Sequence, residues 1–243
     1  MLILAADTSG KQGSIALAQC GAGENCAIDI IEVVPLTGGA FSAELVPRIA
    51  ALLEKHGYNK NDLEAFAVAS GPGSFTGLRV GLAAIKALAE ALRKPIVAVS
   101  LLEAVARSGA ARGRVFAGLD AGRGDVYSGD YELGPKTRAH TLMRSERLLS
   151  REEFVAEVIN PKTGLGENKL EAVVTPDAAL AEAVQSAGRS AGIRVELIEY
   201  PNSCVIARLG WEHLQRGETV APEELEANYI RHSDAEIFSK PKP

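Results

Sequence analysis

Residues 64–93 read EAFAVASGPGSFTGLRVGLAAIKALAEALR, and the rest of the chain is organised around them. Glu64 to Ser70 is a short buried strand, with Phe66 and Val68 set among alanines. Gly71, Pro72 and Gly73 form a structural turn that stops it, because glycine and proline punctuate regular structure. A helix starts near Ser74 to Thr76 and runs to Arg93, where Lys94-Pro95 ends it. A hydroxyl of Ser74 or Thr76 caps it by accepting an orphan N–H of the first turn. Arg79, Lys86, Glu90 and Arg93 form one narrow polar stripe. Gly77, Gly81, Ala84, Leu88 and Ala91 form a second face on which another helix can approach closely. A helix this apolar is covered on most sides, so it is central to its domain or shared with another subunit.

The glycines at 71, 73 and 77 invite a phosphate-loop reading, but the spacing meets neither known pattern. The dinucleotide fingerprint requires its third glycine where Thr76 stands, and the P-loop requires a Gly-Lys pair that is missing. A strand, glycine turn and helix N-terminus can still attract an anion. The reading as a sharp, tightly packed turn stands ahead of it.

The chain has 243 residues, enough for one large domain or two lobes. Its 47% hydrophobic and 23% charged content is that of an ordinary protein with a full core. A net charge of −5 argues against a nucleic-acid footprint over the whole surface, so contact with RNA would need a partner. Aromatic content is 5%, without the aromatic–basic interleaving of an RNA-binding sheet. Cys20, Cys26 and Cys204 are odd in number and lack C-x-x-C spacing, which points to reduced thiols in the cytoplasm. The N-terminus MLILAADTSG lacks the basic segment of a secretion signal, and no apolar run approaches a membrane span.

Leu2 to Ala6 is a buried strand ending at Asp7, and Ser14 to Ala18 returns as its hairpin partner across Thr8-Ser9-Gly10. Ala27 to Val34 is a third strand, and Phe41 to Gly57 a helix with Leu45, Ile49, Leu52 and His56 on one face. Ile96 to Val99 is a strand, and Ser100 with Glu103 opens the next helix as a capping box. The opening pattern then recurs. Arg114 to Leu119 ends at Asp120, and Asp125 to Glu132 returns after Ala121-Gly122-Arg123-Gly124. A strand near 138–144, a helix from Ser150 to Ile159, strand 172–174, helix 177–187, strand 194–198 and helix 202–216 follow; residues after Ser239 are expected to be disordered. The repeated hairpin and the alternation of strands and helices predict an α/β fold of two duplicated lobes, 1–110 and 111–243, like the actin and sugar-kinase superfamily.

Asp7, with Thr8 and Ser9, and Asp120 at the equivalent place are weak candidates for holding magnesium and phosphate. Acids at strand ends also commonly accept turn N–H bonds, and that reading stands ahead. Gly188-Arg189-Ser190-Ala191-Gly192 matches G-x-S-x-G, but a helix precedes it and a strand follows, the reverse of a nucleophile elbow. His56, His140, His213 and His232 show no metal-ligand spacing, so no metal site is expected.

LILAADTS, SGPGSFTGLRVGLAAIKALA, VSLLEAVA, LDAGRGDVY and LEANYIR occur in an order that resembles the TsaB (YeaZ) family. The resemblance covers roughly residues 1–232 and is tightest at 70–87. It implies an actin-like fold and a non-catalytic relative of TsaD, the enzyme that makes N6-threonylcarbamoyladenosine at position 37 of tRNA. The catalytic relative carries a metal-binding histidine pair on the helix matching 41–57; here that segment has Phe41, Ser42 and Glu44, and no histidine before His56. The resemblance further implies binding to TsaD through N-lobe helices, with the ATPase TsaE joining and tRNA contacted only through the complex. Leu45, Ile49, Leu52, Gly77, Gly81, Ala84 and Leu88 are the expected partner interface, with TsaD or with a second copy as a homodimer. No cofactor is expected in the isolated subunit. The competing readings are an actin-like ATPase or kinase using Asp7 and Asp120, and a glycoprotease for which no nucleophile or metal set is present.

Overall fold

The computed structural model describes residues 1–21, 28–134, 141–161, 169–188 and 192–230. They form two compact units, Met1–Ala104 with Glu199–Ala227, and Val105–Ile198 with the chain from Asn228. The sequence-based cut after residue 110 is a single one. In the structure the first stretch of unit 1 closes at Ala104, and the chain re-enters that unit for one more helix.

Unit 1 holds β1 (Leu2–Asp7), β2 (Gly13–Cys20), β3 (Ile28–Leu36), α1 (Phe41–Lys55), β4 (Leu63–Gly71), α2 (Phe75–Leu92) and β5 (Ile96–Ser100). Its sheet runs β3-β2-β1-β4-β5. β1 pairs antiparallel with β2 and parallel with β4, and β4 pairs parallel with β5. The all-buried LILAAD run sits at the centre, as a strand covered on both faces must. Side chains alternate across a strand. Leu2, Leu4, Ala6, Phe66 and Val68 pack with Leu45, Ile49, Leu52, Leu78 and Ile85 of α1 and α2. The opposite positions hold many alanines, among them Ala5, Ala16, Ala65, Ala67 and Ala69, together with Ile3, Val97 and Val99, all buried.

α3 (Leu101–Ser108) begins in unit 1 and ends in unit 2. The helix that returns to unit 1, which we number α6 (Ser203–Gln215), covers the alanine face of the sheet. A methyl on Gly210 would lie 2.4 Å from Cβ of Ala67, so at this crossing the helix and the strand both need small residues. Asn202 caps α6 by accepting the N–H of Cys204 at 2.9 Å.

Unit 2 repeats the plan with β6 (Gly113–Gly122), β7 (Asp125–Leu133), β8 (Thr141–Ser150), α4 (Arg151–Ile159), β9 (Leu170–Thr175), α5 (Ala178–Gly188) and β10 (Arg194–Leu197). The sheet order is β10-β9-β6-β7-β8. Read from the other edge, β6, β7, β8, β9 and β10 take the places of β1, β2, β3, β4 and β5. Phe116, Val126, Phe154, Val173, Leu180 and Val184 form its core. The expected capping box at α4 is present: Ser150 accepts the N–H of Glu153 at 3.1 Å, and Glu153 accepts that of Ser150 at 2.8 Å. β8 continues to Ser150, past the expected end at Arg144. The polar run Arg144-Ser145-Glu146-Arg147 hides the alternation, while ion pairs from Arg144 to Glu132 and from Arg147 to Glu157 hold it. Inside the sheet the Arg114 guanidinium donates to Asp130 through Nε at 3.2 Å and a terminal nitrogen at 2.9 Å. The expected disorder after Ser239 concerns residues outside those described.

Candidate functional site

α2 starts where the sequence places it. Ser74 caps it by accepting the N–H of Gly77 at 3.3 Å, and Arg93 closes it in the left-handed region at φ 55°. The turn before it, Gly71-Pro72-Gly73, holds Gly71 at φ 119°, a conformation that favours glycine. Beyond the turn α2 lies almost against the end of β1. The N–H of Ser74 donates to the Ser9 carbonyl at 2.7 Å, and the Thr8 hydroxyl donates to the Gly77 carbonyl at 2.8 Å. A methyl on Gly77 would sit 2.1 Å from the Thr8 carbonyl oxygen, and one on Gly81 2.2 Å from the Thr8 hydroxyl. The glycines of α2 thus serve an internal close approach. Part of the N-terminal donor set is turned onto the protein's own chain, which favours the packed-turn reading over an anion site.

Asp7 and Ser9 are 2% exposed. Oδ1 of Asp7 accepts the Ser9 N–H at 2.8 Å and the Ser9 hydroxyl at 2.5 Å. Burial pushes the Asp7 carboxyl above its ordinary range, and the two Ser9 bonds work against that rise. Asp120 is exposed and accepts the N–H of Gly122 at 3.0 Å. Both acids therefore do what strand-end acids commonly do, which is to organise the following turn.

Three further residues join Asp7 that sequence reasoning passed over. Ser14 is its cross-strand partner on β2, and the Ser14 hydroxyl accepts the N–H of Ser203 at the start of α6, at 2.9 Å. The Ser203 hydroxyl is fully buried and has no hydrogen-bond partner among the described residues. The Tyr200 ring lies over Gly10, where a methyl would be 3.4 Å from its hydroxyl. Tyr200 is 43% exposed as a residue, but burial at its hydroxyl end first, and then the Asp7 charge, pushes that hydroxyl up from its ordinary range, while a hydrogen bond to Ser9 pulls it down. The hairpin register makes Ser14 findable in the sequence. Tyr200 and Ser203 are not, because nothing local says that α6 returns to the first sheet.

Among the described residues no group of three or more His, Cys, Asp and Glu is arranged so that it could hold a metal ion. His56 meets Glu32 at 2.7 Å, and His213 meets Glu103 at 3.2 Å and Glu218 at 3.4 Å. His140, His232 and Cys26 lie outside the described residues. Cys20 is buried, its thiol pushed up to about 11 chiefly by that burial. Residues 189–191 of the G-x-S-x-G match are also outside those described, but α5 ends at Gly188 and β10 follows, an order opposite to a nucleophile elbow.

The expected partner residues divide. Leu45, Ile49 and Leu52 lie in the core of unit 1, and Gly77 and Gly81 face Thr8, so all five are buried in the single chain. The sequence expectation that they form an exposed surface is corrected on this point. An amphipathic stripe shows that a helix is covered, and here the sheet covers it. Ala84 and Leu88 are half-buried and rest on the same core. The outward faces carry other residues. Phe75, Arg79, Ala83, Ala87 and Ala91 recur every four positions along α2, all exposed, with the Arg79 guanidinium 3.7 Å above the Phe75 ring. On the neighbouring α1, Ala43, Val46, Pro47 and Ala50 are exposed, Val46 by 50%.

Two copies of a mixed five-stranded sheet, each opened by a hairpin and completed by parallel strands, define the actin-like class. YeaZ from Pseudomonas aeruginosa has the same fold, with a TM-score of 0.69 at 24% identity over 93% of this chain and all of that one. The family model for TsaD, tRNA N6-adenosine threonylcarbamoyltransferase, matches residues 33–237. The tRNA threonylcarbamoyladenosine biosynthesis protein TsaB of Bacillus subtilis is 40% identical over 137 residues, 54% of this chain and 56% of that protein. Its Escherichia coli namesake is 32% identical over 137 residues, 54% of this chain and 55% of that one. The chain thus spans about half the length of these two curated relatives. The chain belongs to the TsaB (YeaZ) branch of the family that the TsaD model describes.

Proposed function

We propose that this chain is a non-catalytic subunit in the synthesis of threonylcarbamoyladenosine in tRNA. It binds a TsaD-type transferase through the outward faces of α1 and α2, and TsaE joins that pair. The observation that carries the reading is the contrast between the two sides of these helices. Their large apolar residues are consumed by the core, yet their outer sides still present small apolar residues and one aromatic–arginine pair. Alanine ridges let a partner helix seat closely, and an exposed Phe stacked under Arg is the kind of group that anchors an interface. Family membership supports a TsaD-type chain as the occupant. A second copy of this chain is the occupant when the protein is purified alone. The chain acts in the cytoplasm, holds no cofactor of its own and meets tRNA only within the complex.

The test is co-purification with the TsaD-type transferase of the same organism, followed by tRNA modification. Ala83→Arg and Ala87→Arg place a long cation on the exposed ridge, where the free chain tolerates it. Burying it unpaired in an interface costs several kcal/mol. Unchanged circular dichroism with lost co-purification and lost modification is the expected result. Undiminished co-purification by both variants refutes the assignment of the surface. ATP hydrolysis by the isolated chain that disappears in Asp7→Ala would instead favour the ATPase reading.

A further inference from the structure

We draw no further inference here: the strongest candidate, the buried and unpartnered Ser203 hydroxyl at the amino end of α6 beside Ser14 and Asp7, belongs to the strand-end site already described, and nothing in the structure shows what would occupy it.

Discussion

Adding one methyl group to α2 tests the close approach around Thr8. In Gly77→Ala the new carbon would stand 2.1 Å from the Thr8 carbonyl oxygen, against 3.4 Å or more for an ordinary contact. Both atoms belong to, or sit directly on, the backbone, so no side-chain rotation relieves the clash. Overpacking of this kind costs about 1–3 kcal/mol. The retreat also weakens the Thr8 hydroxyl bond to the Gly77 carbonyl, worth about 1 kcal/mol. Alanine returns about 1 kcal/mol through its better helix propensity. The net loss is about 2 kcal/mol, or about 4–8 °C in melting temperature for a chain of this size. The single tryptophan, Trp211, is buried in α6, so its fluorescence follows unit 1. Gly81→Ala provides a built-in control, because its clash is with the Thr8 hydroxyl, a side-chain atom. Thr8→Ala should therefore rescue Gly81→Ala and fail to rescue Gly77→Ala. Melting of Gly77→Ala at or above the wild-type temperature would refute the packing argument.

Asp7→Asn should raise the melting temperature at neutral pH, by about 2–4 °C for each kcal/mol recovered. The folded carboxyl titrates above its unfolded value of 3.8, so its contribution is fully present below that value and is lost as pH rises through the folded one. The advantage of Asn should vanish below about pH 4; an advantage that grows toward acid would contradict the burial account. Asp130→Ala removes the carboxylate that accepts from the buried Arg114 guanidinium, and unit 2 should lose about 3–5 kcal/mol by urea unfolding. Ser150→Ala removes the cap of α4 and should cost about 1 kcal/mol, read as earlier hydrogen exchange in residues 151–159. Cys20 should resist alkylation at neutral pH in the folded protein and react promptly after unfolding, since its thiol is pushed up to about 11.

Much of the fold was legible because its signals are local. The run LILAAD, the glycine turn at 71–73, the Ser74 cap and the Ser150–Glu153 box each state their geometry within a few residues. The duplication showed itself as two strands ending in Asp before a glycine-containing turn. The outer and inner sides of α1 and α2 were harder to separate. Leu45, Ile49 and Leu52 repeat at helical spacing whether they face a sheet or a partner, and only the position of β1 and β4 decides. The same limit hid the surroundings of Asp7. Ser203 and Tyr200 stand far from it along the chain, and their approach depends on where α6 returns. The alanine side of β4 carried a usable signal, since Ala65, Ala67 and Ala69 alternate with large residues and mark a place where a second element comes close.

The return of α6 to unit 1 bears on how the chain matures during synthesis. Multidomain proteins generally fold from the N-terminus as the ribosome extends them. Here the first sheet emerges early but lacks the helix that covers its alanine side until residue 215 has left the ribosome. The stretch Val105–Ile198 supplies every described strand and helix of the second sheet's unit before α6 is made. The order of sheet formation is thus reversed: the second sheet can form while the first waits with one flank bare. A nascent chain arrested before Asn202 should present that flank to holdase chaperones, and one extended beyond Gly217 should release them.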